Sequence, residues 1–320
     1  MKTMKHVPPQ IERLKSWPGI ERYLVNEAEW QKLHQDNQRK ILEGYVSRGI
    51  IAFVSPETGE NEAVVQPFKS HLGPPLWMSA KSRVITGTSF AASGRDARDV
   101  FANAVLYQEL ASLRDFLNES EFPARHGRKL GMFGIWNAGW LGLAAGLGVM
   151  EVTARFAPLL IRAAHQEYFR LDAKSRGMQH WILRLWCRVH GLSYPNTGYP
   201  HYDVAEGILE MWDTQDLEML GAWLVQLCNL HTRLAVHREN MDFANSFSHF
   251  PIEVLMLFRL REQAGLANPT VDHPIMKFPW SCLWPIKPAE PDELLAGVYR
   301  RLEADEGVTV AGLYRQLLSA

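Results

Sequence analysis

Apolar residues recur at helical spacing along most of this chain, and the exceptions fall in a few short windows. Residues 10–48 read as helix, with Asn26 as a candidate cap and Trp30, Leu33, Ile41 and Val46 on one apolar face. Residues 50–68 change period. IIAFV and AVVQPF flank SPETGENE, a pattern that predicts a small β-hairpin. Residues 69–94, with Gly73-Pro74-Pro75 and scattered Gly and Ser, predict an irregular connection.

From residue 95 the helical period dominates. Val100, Ala104, Tyr107, Leu110 and Leu117 line one face of a first helix. Further helical segments follow at ARFAPLLIRAAHQEYFRLDAKS, MQHWILRLWCRVH, DVAEGILEMWDTQDLEMLGAWLVQLCNLHTRLAVH, SHFPIEVLMLFRLREQA and PDELLAGVYRRLEA. The expected fold is mainly α, a multi-helix bundle of packed helical hairpins. Its expected parts are residues 1–94, a helical segment with the hairpin and the connection, and residues 95–320, the helical main domain.

One window breaks the amphipathic rule. Residues 130–150, LGMFGIWNAGWLGLAAGLGVM, hold no charged side chain and one amide, Asn137. The length suits a membrane span, and Arg125, Arg128 and Lys129 precede it as anchors would. Glycines at 131, 134, 139, 142, 146 and 148 argue instead for a close-packed core element, since glycine adds little transfer energy and weakens a helix. No second apolar span exists and the other helices are amphipathic, so the core reading is preferred.

Two helix ends rhyme. Arg188–Gly191–Leu192 and Arg261–Gly265–Leu266 each run into a proline shortly after, which places Gly191 and Gly265 at left-handed C′ positions. Two independently terminated helices or an internal duplication both fit.

Composition narrows the function classes. The chain has 320 residues, 47% hydrophobic and 22% charged, a globular balance that excludes long disorder. Cys187, Cys228 and Cys282 are odd in number and far apart, so reduced thiols and a cytoplasmic location are expected. The first residues show no apolar core of a secretory signal. The net charge of −1 hides a split: residues 1–200 carry 25 Lys and Arg against 18 Asp and Glu, residues 201–320 carry 9 against 17. An acidic second part argues against nucleic acid and for a basic partner.

Catalytic signatures are missing. There is no phosphate-binding glycine loop, no GxSxG and no HExxH. His231, His237, Glu239, Asp242 and His249 form the densest polar cluster. The spacing of His231 and His237 does not put both on one helical face, and a polar helix end explains the cluster as well as a metal does. Asp272-His273-Pro274 reads as a hydrogen-bonded turn. No catalytic residue, metal ligand or cofactor is therefore assigned, and the protein is expected not to be an enzyme. The most interpretable acidic feature is residues 203–220. On one helix, Glu206, Glu210 and Asp213 would share a face, with Asp216 and Glu218 nearby, a stripe suited to a cationic partner.

Residues 243–277, FANSFSHFPIEVLMLFRLREQAGLANPTVDHPIMK, combine an aromatic loop, a helix with an inward Glu253, a Gly-Leu stop and an Asp-His-Pro turn. This outline resembles the C-terminal part of helical immunity proteins of bacterial polymorphic toxins, in particular inhibitors of type VI-secreted nucleases. The 50–68 hairpin and the glycine-rich window have no counterpart in that resemblance. It implies a mainly helical, cytoplasmic, non-enzymatic protein that neutralises a cognate toxin with a basic cleft. The acidic residues Glu206, Glu210, Asp213, Asp216 and Glu218 are the expected contacts. The competing readings are a helical metal-dependent enzyme built on the 231–249 cluster and a membrane-tethered protein anchored by 130–150.

Overall fold

The structure is a computed structural model, and it describes residues 7–13, 20–49, 51–54, 61–64, 72–126, 133–169, 176–195, 198–236, 247–278 and 289–319. The helices are α1 (Ile20–Arg48), α2 (Gly73–Ala92), α3 (Arg98–His126), α4 (Asn137–Leu147), α5 (Met150–His165) and α6 (Gly177–His190). They continue with α7 (Asp203–Glu210), α8 (Leu217–Val236), α9 (Ile252–Gln263), α10 (Glu293–Glu306) and α11 (Val310–Ser319), with a 3₁₀ turn at Pro274–Lys277. The class is mainly α. Two four-residue strands, β1 (Ile51–Val54) and β2 (Asn61–Val64), pair antiparallel with Ile51 opposite Val64. The paired segment NEAV begins two residues before the AVVQPF run and shares Ala63 and Val64 with it, and residues 65–68 of that run lie outside the described residues.

The glycine-rich window is the centre of the molecule. All eleven side chains of α4 are buried. A helix of that length spans roughly 16 Å, about half a hydrocarbon core. No helix among the described residues is long and apolar enough to cross a membrane. The glycines admit neighbours: Gly146 faces Leu255 of α9, Gly139 faces the Phe247 ring, and Gly142 touches Ile182 of α6 and Ile252 of α9. Asn137, the one amide, is satisfied. Its Nδ2 donates to the Gly134 carbonyl at 2.9 Å and its Oδ1 accepts from Gln108 at 2.8 Å.

Residues 73–92 form α2, where the turn-rich composition predicted an irregular connection. Pro74 and Pro75 sit in its first turn, where a missing N–H breaks no helical bond. The small residues serve packing against α3, as Gly87 does beneath the Phe101 ring. The buried apolar residues form one cluster from Ile41 to Tyr314, continuous across residues 94 and 95.

Gly191 and Gly265 are left-handed as expected, at φ 65° and 74°. Leu192 donates to Cys187 and Leu266 to Arg261, each five residues back, which closes the Schellman cap. The same bond closes α2 (Arg95 to Phe90), α4 (Val149 to Ala144) and α5 (Tyr168 to Ala163). The rhyme is thus a local capping device used at five helix ends, which removes the need for a duplication.

Candidate functional site

The 203–220 run is not one helix. α7 stops at Glu210, and residues 211–216 form a turn before α8. Asp216 caps α8, its Oδ1 accepting from the Met219 N–H at 2.9 Å, and Thr214 Oγ1 accepts from the Asp216 N–H at 3.2 Å. The predicted stripe of Glu206, Glu210 and Asp213 on one helical face is therefore corrected: the helix ends between its members.

Glu206 leaves the set. It is half-buried, paired to Arg184 at 2.7 Å and to His201 at 3.0 Å. Burial raises its pKa, but the Arg184 and His201 contacts outweigh burial and the net shift is downward from 4.5. A depressed folded pKa means that the ionised pair stabilises the fold above the unfolded carboxyl's pKa, and that this contribution is lost as pH falls through the folded value. Glu206→Gln is thus expected to lower stability by about 0.5–1 kcal/mol at pH 7, allowing for solvent screening. Urea titrations at pH 7 and pH 3 check this: the difference from wild type should shrink as pH falls, and a pH-independent difference would contradict the pairing.

Glu210, Asp213, Asp216 and Glu218 are all exposed. No ion pair among the described residues engages them. What holds them in place is Arg261, a fully buried residue on α9. Its Nη1 donates to the Trp212 carbonyl, and its Nη2 to Thr214 at 2.9 Å and to Ala267 at 2.6 Å. Desolvation lowers the guanidinium pKa, and Asp213 raises it in part. The buried cation thus ties the turn to the loop after α9 and attracts the Asp213 carboxylate. Beside the turn, a shallow depression of about 510 Å³ is lined by Leu217, Gly221, Ala222 and Pro269, with Glu218 and Asp272 on its rim.

The other candidates resolve into structure. His231 and Glu253 are a fully buried pair, Nδ1 to Oε1 at 2.9 Å, with His231 Nε2 3.2 Å from the Ser248 carbonyl. Both ring nitrogens are engaged, and neither offers a lone pair to a metal in this arrangement. His249 meets the Ser248 hydroxyl at 3.0 Å. His237, Glu239 and Asp242 lie outside the described residues. Among the described residues, no group of three or more metal-ligating side chains occurs. Asp272 and His273 do not form a dyad: Asp272 is exposed, while the buried His273 caps the 3₁₀ turn.

A second cleft, about 660 Å³, lies between α1, α2 and α10. Four of its charged residues are paired with one another, Arg39 with Glu43 and Arg83 with Asp292. Asp292 also accepts from Tyr107 at 2.9 Å and caps α10 through Leu295 N–H at 2.9 Å. This network fastens α10 to α2 and α3.

No mark in the sequence distinguishes Arg261 from other basic residues at helix ends. An Asp directly before an apolar run can signal a helix start, but reading 203–220 as one helix passed over that signal at Asp216. The chain matches no family model, no curated protein and no solved structure.

Proposed function

We propose that this chain is a non-enzymatic, cytoplasmic immunity-type protein that binds and neutralises a cognate bacterial toxin through the acidic α7–α8 turn. One observation carries the reading: four exposed carboxylates without ion-pair partners among the described residues, Asp213 and Asp216 in the turn and Glu210 and Glu218 on the helix ends beside it, surround a turn fixed by a buried arginine. A preordered acidic surface loses little conformational entropy on binding and speeds encounter with a cationic cleft. Toxins that cut nucleic acid need such clefts for phosphates. Partly exposed Trp212 within the turn adds an aromatic contact of the kind that anchors interfaces. The acidic balance of residues 201–320 and the resemblance of residues 243–277 support the same assignment.

Co-expression with the toxic product of an adjacent gene tests it through growth. Rescue by wild type is expected, and unchanged toxicity rejects the reading. The contact residues are tested by Glu210→Lys with Glu218→Lys. Both positions are exposed, so stability should stay within about 0.5 kcal/mol per site, while toxin affinity should fall by roughly a hundredfold at low salt. Equal binding by the double variant would reduce the turn to an ordinary solvated surface.

A further inference from the structure

The segment 7–13, VPPQIER, is held on α8 through its main chain. The Ile11 N–H donates to Gln226 Oε1 at 2.8 Å, and the Ile11 carbonyl accepts from Asn229 Nδ2 at 3.1 Å. Asn229 Nδ2 also lies 3.3 Å from Gln226 Oε1. Gln226 and Asn229 are one helical turn apart and buried among apolar neighbours of α8.

The orientation of both amides follows from His273. The Ile275 N–H donates to His273 Nδ1 at 3.3 Å, so that nitrogen carries the lone pair and Nε2 carries the proton. Nε2 faces Asn229 Oδ1 at 3.2 Å and donates to it. Asn229 must then turn its NH₂ toward Gln226 and Ile11. Burial, with Arg13 and His231 nearby, pushes the His273 pKa down to about 4, which keeps the ring neutral and the relay intact at neutral pH.

The bonds to Ile11 read no side chain. The side chain of Ile11 itself contributes an apolar contact, packed against the core. Pro8 and Pro9 bias the preceding backbone to an extended form, ready to offer an N–H and a carbonyl on one edge. We infer that Gln226 and Asn229, oriented by His273, form a peptide-backbone binding site whose ligand class is an extended, proline-containing segment with one aliphatic anchor, filled in cis by residues 7–13. The site is independent of the acidic turn. A peptide in trans competes with a cis copy whose effective concentration is on the order of mM.

The test uses the full chain and a fluorescent peptide of sequence VPPQIER, followed by anisotropy. Ile11→Asp removes the anchor of the resident copy and is expected to tighten peptide binding roughly tenfold over wild type. Adding Gln226→Ala or Asn229→Ala to that variant should abolish the gain. Equal peptide binding by wild type and a folded Ile11→Asp overturns the inference, as does binding that survives both amide substitutions. If Ile11→Asp fails to fold, wild type decides by NMR. Excess peptide should displace the resident segment and shift the backbone amide signal of Ile11, a peptide with Asp for the Ile should not, and an unshifted Ile11 amide overturns the inference.

Discussion

Arg261→Ala is expected to cost about 3 kcal/mol of stability and to abolish partner binding together with it. The guanidinium supplies charge-assisted bonds to the carbonyls of Trp212, Thr214 and Ala267. Truncation leaves these three carbonyls without the guanidinium donors that join them. It also removes the positive charge that interacts with Asp213. Arg261→Lys should fall between, because a single ammonium cannot span three carbonyls set at different angles. Urea midpoints and amide exchange over residues 211–217 measure the effect. A wild-type midpoint for Arg261→Ala would show that the turn is held by other contacts.

Gly146→Val is expected to destabilise the core by about 3 kcal/mol or more. A Cβ at Gly146 would lie 2.8 Å from Leu255 Cβ and 3.3 Å from the Leu255 carbonyl carbon and the Met256 nitrogen. Two of those atoms are helix backbone, so α4 and α9 must separate for the side chain to fit. Gly142 offers the internal control. Its Cβ would meet Ile182 and Ile252 at 3.4–3.5 Å, ordinary contact. Gly142→Ala should therefore stay within about 1 kcal/mol of wild type, helped by alanine's better helix propensity. Thermal melts of the two variants separate close approach of helices from a general cost of replacing glycine. Similar losses in both would contradict the geometry.

The elements that were legible in the sequence share a local cause. Gly-Leu stops at 191 and 265 end helices through bonds reaching back five residues, so their outcome needs no distant partner. The glycine-rich window excluded a long span for an equally local reason: glycine at Gly139, Gly142 and Gly146 makes room at the cost of hydrophobicity. Where the sequence misled, a distant group intervened. Gly73-Pro74-Pro75 looked like a loop, yet prolines in a first turn and small residues facing α3 make α2 a helix. The 203–220 run kept its helical period through a real break, because Met211 is buried in the turn and preserves the apolar spacing.

The acidic site shows the same division. Its composition was visible in the excess of Asp and Glu after residue 200. That Glu206 faces Arg184 and His201, while Glu210, Asp213, Asp216 and Glu218 remain without ion pairs among the described residues, was not. By itself, then, the sequence determined the helical class, the helix stops, the buried character of residues 137–147 and the sign of the charge on the second part of the chain. Each depends on residues a few positions apart. The tertiary structure alone decided which carboxylates are paired, which arginine holds the turn and which amides grip the N-terminal segment. Those contacts join residues some 20 to more than 200 positions apart, such as Arg184 with Glu206 and Ile11 with Asn229, and packing brings them together where no local spacing can announce them.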